Sequence, residues 1–302
     1  MTLPAGYSLR PPAPDDAEAV AAVMTKAEDD AEAFTAGDVR REWHQLDVDN
    51  DVWVIESDGA VVATAELLKR ADDSVHAEGY VDPEHSGRGL GSALLTLIEK
   101  RAQELAPGAR LSNGALVSND AAVALFEHRG YQPVRHFFRM TIDLREPPPE
   151  PRWPVGLEPR PFDREHAEAF HNASQEAFAE EWGHTPRTFE DFLRRHVDEP
   201  CASLDLWLGV WDGGEIAATL ICDMRRYELG WIGSIGVRKA WRRRGLGLAL
   251  LHYAFGEFWR RGERTIGLGV DAENPTGATR LYERAGMRVT LEYVVYEKRL
   301  PV

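Results

Sequence analysis

The sequence predicts an α/β (α+β) protein built from two tandem copies of one unit, each a mixed, mostly antiparallel sheet flanked by helices. Three observations carry this reading. The run Arg10-Pro11-Pro12-Ala13-Pro14-Asp15-Asp16-Ala17-Glu18-Ala19 is echoed by Arg160-Pro161-Phe162-Asp163-Arg164-Glu165-His166-Ala167-Glu168-Ala169 at an offset of 150. A glycine-rich turn, Ser86-Gly87-Arg88-Gly89-Leu90-Gly91, returns 156 residues later as Arg242-Arg243-Arg244-Gly245-Leu246-Gly247. At 302 residues the chain is long enough for two domains that each bury a core.

The elements follow in the same order in both copies. Each opens at the echo with a strand turning into a helix. Val52 to Glu56, the Ser57-Asp58-Gly59 turn and Ala60 to Leu68 then read as a hairpin, because Asp-Gly accepts the positive φ of a tight turn. Leu206 to Trp211, Asp212-Gly213-Gly214 and Glu215 to Cys222 repeat it. A strand ending in Val81 or Val237 leads into the glycine turn and a helical run, Ser92 to Leu105 or Leu248 to Arg261. In the later run Leu248, Leu251, Phe255 and Phe258 recur at helical spacing and make one apolar face. A further strand (Leu111 to Val117; Thr265 to Val270), a short helix and a last strand complete each copy. Between the copies, residues 146–154 hold five prolines in nine positions, which neither continue a helix nor sit inside a sheet. The expected domains are therefore residues 1–145 and 155–302, joined by a semi-rigid linker over 146–154.

Composition narrows the function classes. A formal charge of −15, from 35 basic and 50 acidic side chains, opposes a nucleic-acid or anionic-membrane partner. Two cysteines, Cys201 and Cys222, provide neither a disulfide framework nor paired zinc spacing, so they read as plain buried thiols in a cytoplasmic protein. Neither a signal-peptide core nor an apolar run of about 18 residues is present. His166 and His171 are five apart, which does not align them on one helix face, and no His-carboxylate cluster appears, so no metal is expected.

Arg242 to Gly247 directly follows an apolar strand and opens a helix. Glycines let a backbone approach a phosphate closely, and the first helical turn offers unpaired N–H donors with a dipole that favours an anion. Three cations at a helix start oppose that dipole unless an anion binds there. Upstream, Trp231-Ile232-Gly233-Ser234-Ile235-Gly236-Val237 holds two glycines inside a strand, as at a bulge or where a ligand nears the backbone. Ser112, Ser118 and Ser234 lack the context of a nucleophile.

Together with Asn274 and the Leu281-Tyr282-Glu283 element followed by Gly286, this order resembles the GCN5-related N-acetyltransferases (GNAT). Their signature is Gln or Arg, two residues, Gly, one residue, then Gly or Ala. The resemblance covers roughly residues 7–143 and 155–300, and the tandem arrangement is similar to that of the mycothiol synthases, in which the second copy is active. It implies a central splay in each sheet and acetyl-CoA lying between the strand ending at Val237 and the next parallel strand. Ile235, Gly236 and Val237 would then polarise the thioester through backbone N–H groups, a role worth about 3–4 kcal/mol elsewhere. Arg243, Arg244, Gly245, Leu246, Gly247 and Leu248 would hold the pyrophosphate by main-chain N–H groups, with Arg242 and Arg244 adding charge, and Asn274 would bind the cofactor. Tyr282 resembles the family's general acid, since a phenol with a pKa near 10 keeps its proton at neutral pH. The first copy has Phe126 in that slot and Ser86 in place of Arg242, and Asn119 stands one residue closer to its aromatic; it is expected to be catalytically silent.

For the base, Glu228 and Asp223 are the carboxylates to consider. In Glu180-Glu181-Trp182-Gly183-His184, the residues Glu181 and Trp182 are expected to line the acceptor site. Trp231, which stands where mycothiol synthases carry a glutamate, is expected to line it too. The implied activity is acetyl-CoA-dependent acetylation of a small-molecule amine by a monomer or homodimer. A cysteinyl amine, a non-enzymatic acyl-CoA sensor and nucleic-acid binding through Arg242 to Arg244 are the competing readings.

Overall fold

The computed structural model describes residues 3–28, 33–70, 74–199, 202–274 and 276–302; Cys201 lies outside them, and Cys222 is buried. In chain order the strands and helices are β1 (Ser8–Arg10), α1 (Ala17–Ala27), α2 (Ala36–Trp43), α3 (Val48–Asp51), β2 (Val52–Ser57), β3 (Ala60–Lys69), β4 (Val75–Val81), α4 (Leu90–Leu105), β5 (Arg110–Leu116), α5 (Asp120–His128) and β6 (Gln132–Asp143). They continue with β7 (Leu157–Pro161), α6 (Ala167–Phe178), α7 (Phe189–Phe192), β8 (Leu208–Asp212), β9 (Glu215–Arg226), β10 (Leu229–Val237), α8 (Leu246–Arg260), β11 (Thr265–Asp271), α9 (Ala278–Arg284) and β12 (Arg288–Arg299). Both long helices start two residues earlier than their sequence pattern suggests, with Leu90 and Leu246, because Gly89 (φ 84°) and Gly245 (φ 90°) supply a left-handed residue as the N-cap. No helix among the described residues is long and apolar enough to cross a membrane.

The chain divides into two compact units, Met1–His136 with Glu292–Val302, and Phe137–Leu291. In the first, the strand order is β1-β2-β3-β4-β5-β12, with β4 and β5 parallel and the other pairs antiparallel. In the second, the order is β7-β8-β9-β10-β11-β6, with β10 and β11 parallel. Each unit therefore takes its last strand from the other half of the sequence. This differs from the expected division at residues 145 and 155, and side-chain alternation gives the reason. Val294 and Tyr296 of β12, with Leu300 beyond it, bury against Leu111, Phe126 and Tyr131, while Met140 of β6 buries against the core that contains Leu250, Phe258 and Leu268. Each such side chain contributes about 1.5–3 kcal/mol when removed from water. The proline-rich stretch 146–154 forms neither helix nor strand.

The second core is aromatic on one face of its sheet, where Phe170 stacks on Trp207 at 5.9 Å. On the other face it is covered by α8, whose Leu246, Ala249, Leu250, Leu251, Ala254, Phe255 and Phe258 are buried. Gly230 has to be glycine there, since a Cβ would meet Phe258 at 2.7 Å.

Candidate active site

In the second unit, Arg242 is extended (φ −63°, ψ 159°), Arg243 is left-handed at φ 62°, and Gly245 at φ 90° hands the chain to α8. The first internal bond of that helix runs from Ala249 N to Gly245 O at 3.1 Å, so the N–H groups of Leu246, Gly247 and Leu248 precede any helical acceptor. Arg243, Arg244 and Gly245 are exposed around them. Gly247 has a packing role as well: a Cβ there would lie 2.7 Å from Leu281 Cδ2, so its glycine lets α8 and α9 pack.

Arg242 also departs from expectation. Its Nε donates to Val237 O (3.0 Å), Nη2 to Ala177 O (2.9 Å) and Nη1 to Glu180 Oε2 (2.9 Å). The guanidinium ties the turn to the end of β10 and to the end of α6, leaving Arg243 and Arg244 as the exposed charges.

The strand before the turn is broken open. Pairing between β10 and β11 runs only from Gly230–Ile232 to Ile266–Leu268, although the strands continue to Val237 and Asp271. On its other side β10 is bulged against β9, with register shifts between Leu229 and Trp231 and between Ile232 and Ser234. Beyond Ile232, alternate residues of β10 turn their N–H and C=O groups toward the gap. Gly236 has to be glycine, because a Cβ would lie 2.9 Å from Thr219 Oγ1, 3.0 Å from Ala177 and 3.1 Å from Phe178. Gly233 is exposed at the bulge. The Oγ of Ser234 and Oγ1 of Thr219 are buried without a hydrogen-bond partner among the described residues, the kind of vacancy a polar ligand fills.

Glu181, Asn274 and Tyr282 meet in one place. Asn274 Nδ2 donates to Glu181 Oε1 at 3.1 Å. Burial, then the Glu181 charge, pushes the Tyr282 phenol up to about 12, so it stays protonated across the neutral range. Burial also raises the Glu181 carboxyl, with the Asn274 bond opposing and Asp271 adding to the rise. Trp182 is 37% exposed and its ring lies 6.1 Å from Phe137. Trp231 is buried, edge-on to Tyr227 at 5.0 Å.

Glu228 requires a correction. Rather than starting a strand it is exposed at φ 59° in the two-residue turn between Arg226 and Leu229. Asp223 pairs in register with Trp231, and its Oδ2 lies 3.7 Å from where a Gly233 Cβ would stand. Sequence reasoning also missed Phe137 and Arg139. Both belong to β6, in the first half of the chain, and no local signal assigns that strand to the second sheet.

A sheet opened beside a glycine turn that starts a helix, present once in each half of the sequence, defines an acyltransferase architecture. The acetyltransferase (GNAT) family model matches residues 17–131 and 167–287, and the chain belongs to that family as a tandem GNAT-type N-acetyltransferase. A mycothiol acetyltransferase of Catenulispora acidiphila is 29% identical over 235 residues, covering 75% of this chain and 73% of that one. The crystal structure of a GCN5-related N-acetyltransferase from Sphaerobacter thermophilus is 37% identical with a TM-score of 0.84, covering 100% of this chain and 98% of the other. A tandem GNAT protein from the clavulanic acid biosynthesis pathway shares the fold at 18% identity, with a TM-score of 0.73 over 97% of this chain and 98% of its own.

Proposed function

We propose that the second unit transfers an acetyl group from acetyl-CoA to the primary amine of a small molecule. The observation that carries this reading is the gap between β10 and β11 beyond Ile232, bordered by the N–H groups that precede the first acceptor of α8. Bound there, acetyl-CoA would supply an acyl thioester. Arg243 to Leu248 would hold its diphosphate by main-chain N–H groups, and the N–H groups around Ile235 to Val237 would draw charge onto the acyl oxygen. Asp223 takes the proton from the attacking amine; its carboxylate beside Gly233 suits this better than that of Glu228, which is exposed at a turn. As the nitrogen–carbon bond forms and the carbon–sulfur bond breaks, the Tyr282 hydroxyl gives its proton to the sulfur. Asn274, which already presents its amide to Glu181, is a donor for the pantetheine arm.

A cysteinyl amine is the second reading, favoured by relatives named mycothiol acetyltransferases. Trp231, an aromatic where the resemblance to mycothiol synthases implies a glutamate, speaks against an identical acceptor.

Isothermal titration should find one acetyl-CoA per chain. Tyr282→Phe should keep that binding and slow turnover at least tenfold, while Phe126→Tyr leaves turnover unchanged. Two equivalent binding events, or equal loss on disabling either unit, would refute the assignment.

A further inference from the structure

The face of the second sheet that carries Asp223 also carries an arginine that no sequence motif announces. Register places Asp223, Trp231 and Gly267 in one row across β9, β10 and β11, with Gly269 and Arg139 paired in the next row across β11 and β6. Residues paired in this way point to the same side of a sheet. The two glycines have different surroundings. A Cβ on Gly267 would meet the Trp231 ring at 3.1 Å, so the indole lies over that position. Nothing lies within 4 Å of a Cβ on Gly269, which is exposed. A bare floor therefore runs along the splayed part of β11 beside Arg139.

Arg139 is only 8% exposed, and its guanidinium carbon sits 4.5 Å from the Tyr227 ring centre and 4.9 Å from that of Trp231. The two rings stand at 80° to each other, so the cation occupies the corner between them. The turn that delivers Tyr227 is strained. Arg225 (φ 51°), Tyr227 (φ 54°) and Glu228 (φ 59°) are all left-handed, and the two-residue turn holds Tyr-Glu where Asn-Gly is preferred. Each such residue costs about 1–2 kcal/mol, and strain of this kind gathers where a site needs a fixed geometry. Here it fixes the ring that holds Arg139. Ring faces engage a guanidinium through its π surface, whereas its five N–H donors lie in its own plane and match a carboxylate two at a time.

We propose that the corner of Tyr227, Trp231 and Arg139 beside Gly269 is the acceptor-selecting subsite, and that it takes an amine whose molecule also carries a carboxylate. This rests on the reading of the second unit as an amine acetyltransferase. The amine end would meet Asp223 and the anionic end Arg139, so the substrate is a zwitterion read at both charges.

The test uses acetyl-CoA with a series of amino acids, whose amine and carboxylate are one to five carbons apart, each beside its methyl ester, and a set of diamines and neutral amines. Wild type should prefer an acid over its ester at least tenfold in kcat/KM. Arg139→Lys should raise the KM for that acid at least tenfold with kcat changed less than threefold, bring the acid-to-ester ratio near one, and leave acetyl-CoA affinity by titration unchanged. Gly269→Val, which has open space and an ordinary φ, folds whatever Arg139 does structurally. It should raise acceptor KM while acetyl-CoA still binds. Esters, diamines or neutral amines used as well as the acids, a ratio unmoved by Arg139→Lys, or loss of acetyl-CoA binding in Gly269→Val would each overturn the proposal while leaving the acetyltransferase intact. Acetyl-CoA binding with no turnover of any amine would sink both readings.

Discussion

The two units differ where their shared plan would need a ligand. In the first, β3 and β4 pair without interruption from Ala63–Val81 to Lys69–Val75; in the second, β9 and β10 slip twice. The position of Gly236 is held in the first unit by Tyr80, paired with Thr64 as Gly236 is with Thr219. Its ring packs against Phe34, and its hydroxyl donates to Glu78 at 2.8 Å. Ser86 cannot make the three bonds of Arg242. Asn119 spends its side chain capping its own helix through Ala122 N, whereas Asn274 reaches Glu181. Both units still part their parallel strands, β4 from β5 beyond Ala77 and Asn113. What separates them is therefore less the fold than whether side chains have grown into the space beside the central strand.

The sharpest way to break this comparison is to exchange its residues. Gly236→Tyr should abolish acetyl-CoA binding and lower Tm, because even a methyl group meets three neighbours at 2.9–3.1 Å and overpacking costs about 1–3 kcal/mol or more. Tyr80→Gly should leave turnover untouched; binding retained in Gly236→Tyr would mean that the ligand lies elsewhere. A smaller effect is expected from Arg242→Ser. Losing its bonds to Val237 O, Ala177 O and Glu180 should weaken acetyl-CoA binding about tenfold, whereas Ser86→Arg should create no second binding event. Thermal unfolding should then show Gly247→Ala costing about 1–2 kcal/mol, and Gly91→Ala less, since the added carbon meets Leu281 at 2.7 Å in one case and Leu125 at 3.4 Å in the other.

The smallest effect concerns acidity. In the first unit, removal from water together with Glu78 and Glu42 holds the Glu66 carboxyl well above its usual range; in the second, burial raises Glu181 more modestly. A carboxyl raised by folding adds stability that is full below its unfolded pKa, about 4.3, and lost as pH rises through the folded value. At pH 7, above the unfolded value, each carboxyl therefore contributes less to stability than it does at pH 4. Glu66→Gln should raise Tm at pH 7 and not at pH 4, with Glu181→Gln doing the same to a lesser degree; an equal gain at both pH values would mean that the effect is not ionisation.

Much of the plan was legible, because it is written in local chemistry. A strand, a glycine turn and a helical stripe are contiguous, and Tyr282 against Phe126 is a comparison that the repeat itself supplies. What escaped was settled over distance. The alternation in β6 and β12 marks a strand and an inward face but says nothing about which sheet receives it, so Arg139 and Phe137 stayed with the wrong half. Glu228 was misread because Tyr227 and Glu228 lack the residues a tight turn prefers, and tertiary contacts around the Tyr227 ring override that preference. Arg242 looked like phosphate-binding charge, since a sequence shows a cation and not the carbonyls it faces.

The exchange of end strands also bears on how the protein is made. β5 leaves the ribosome roughly 180 residues before the β12 segment that covers it, a wait of about 10–35 s at roughly 5–20 residues per second. Throughout that interval its backbone is an open edge that invites pairing with other nascent chains. β11 meets no such delay, because β6 is synthesised before it. Truncation ahead of β12 would spare the strands around the second glycine turn and leave the first sheet without its last strand.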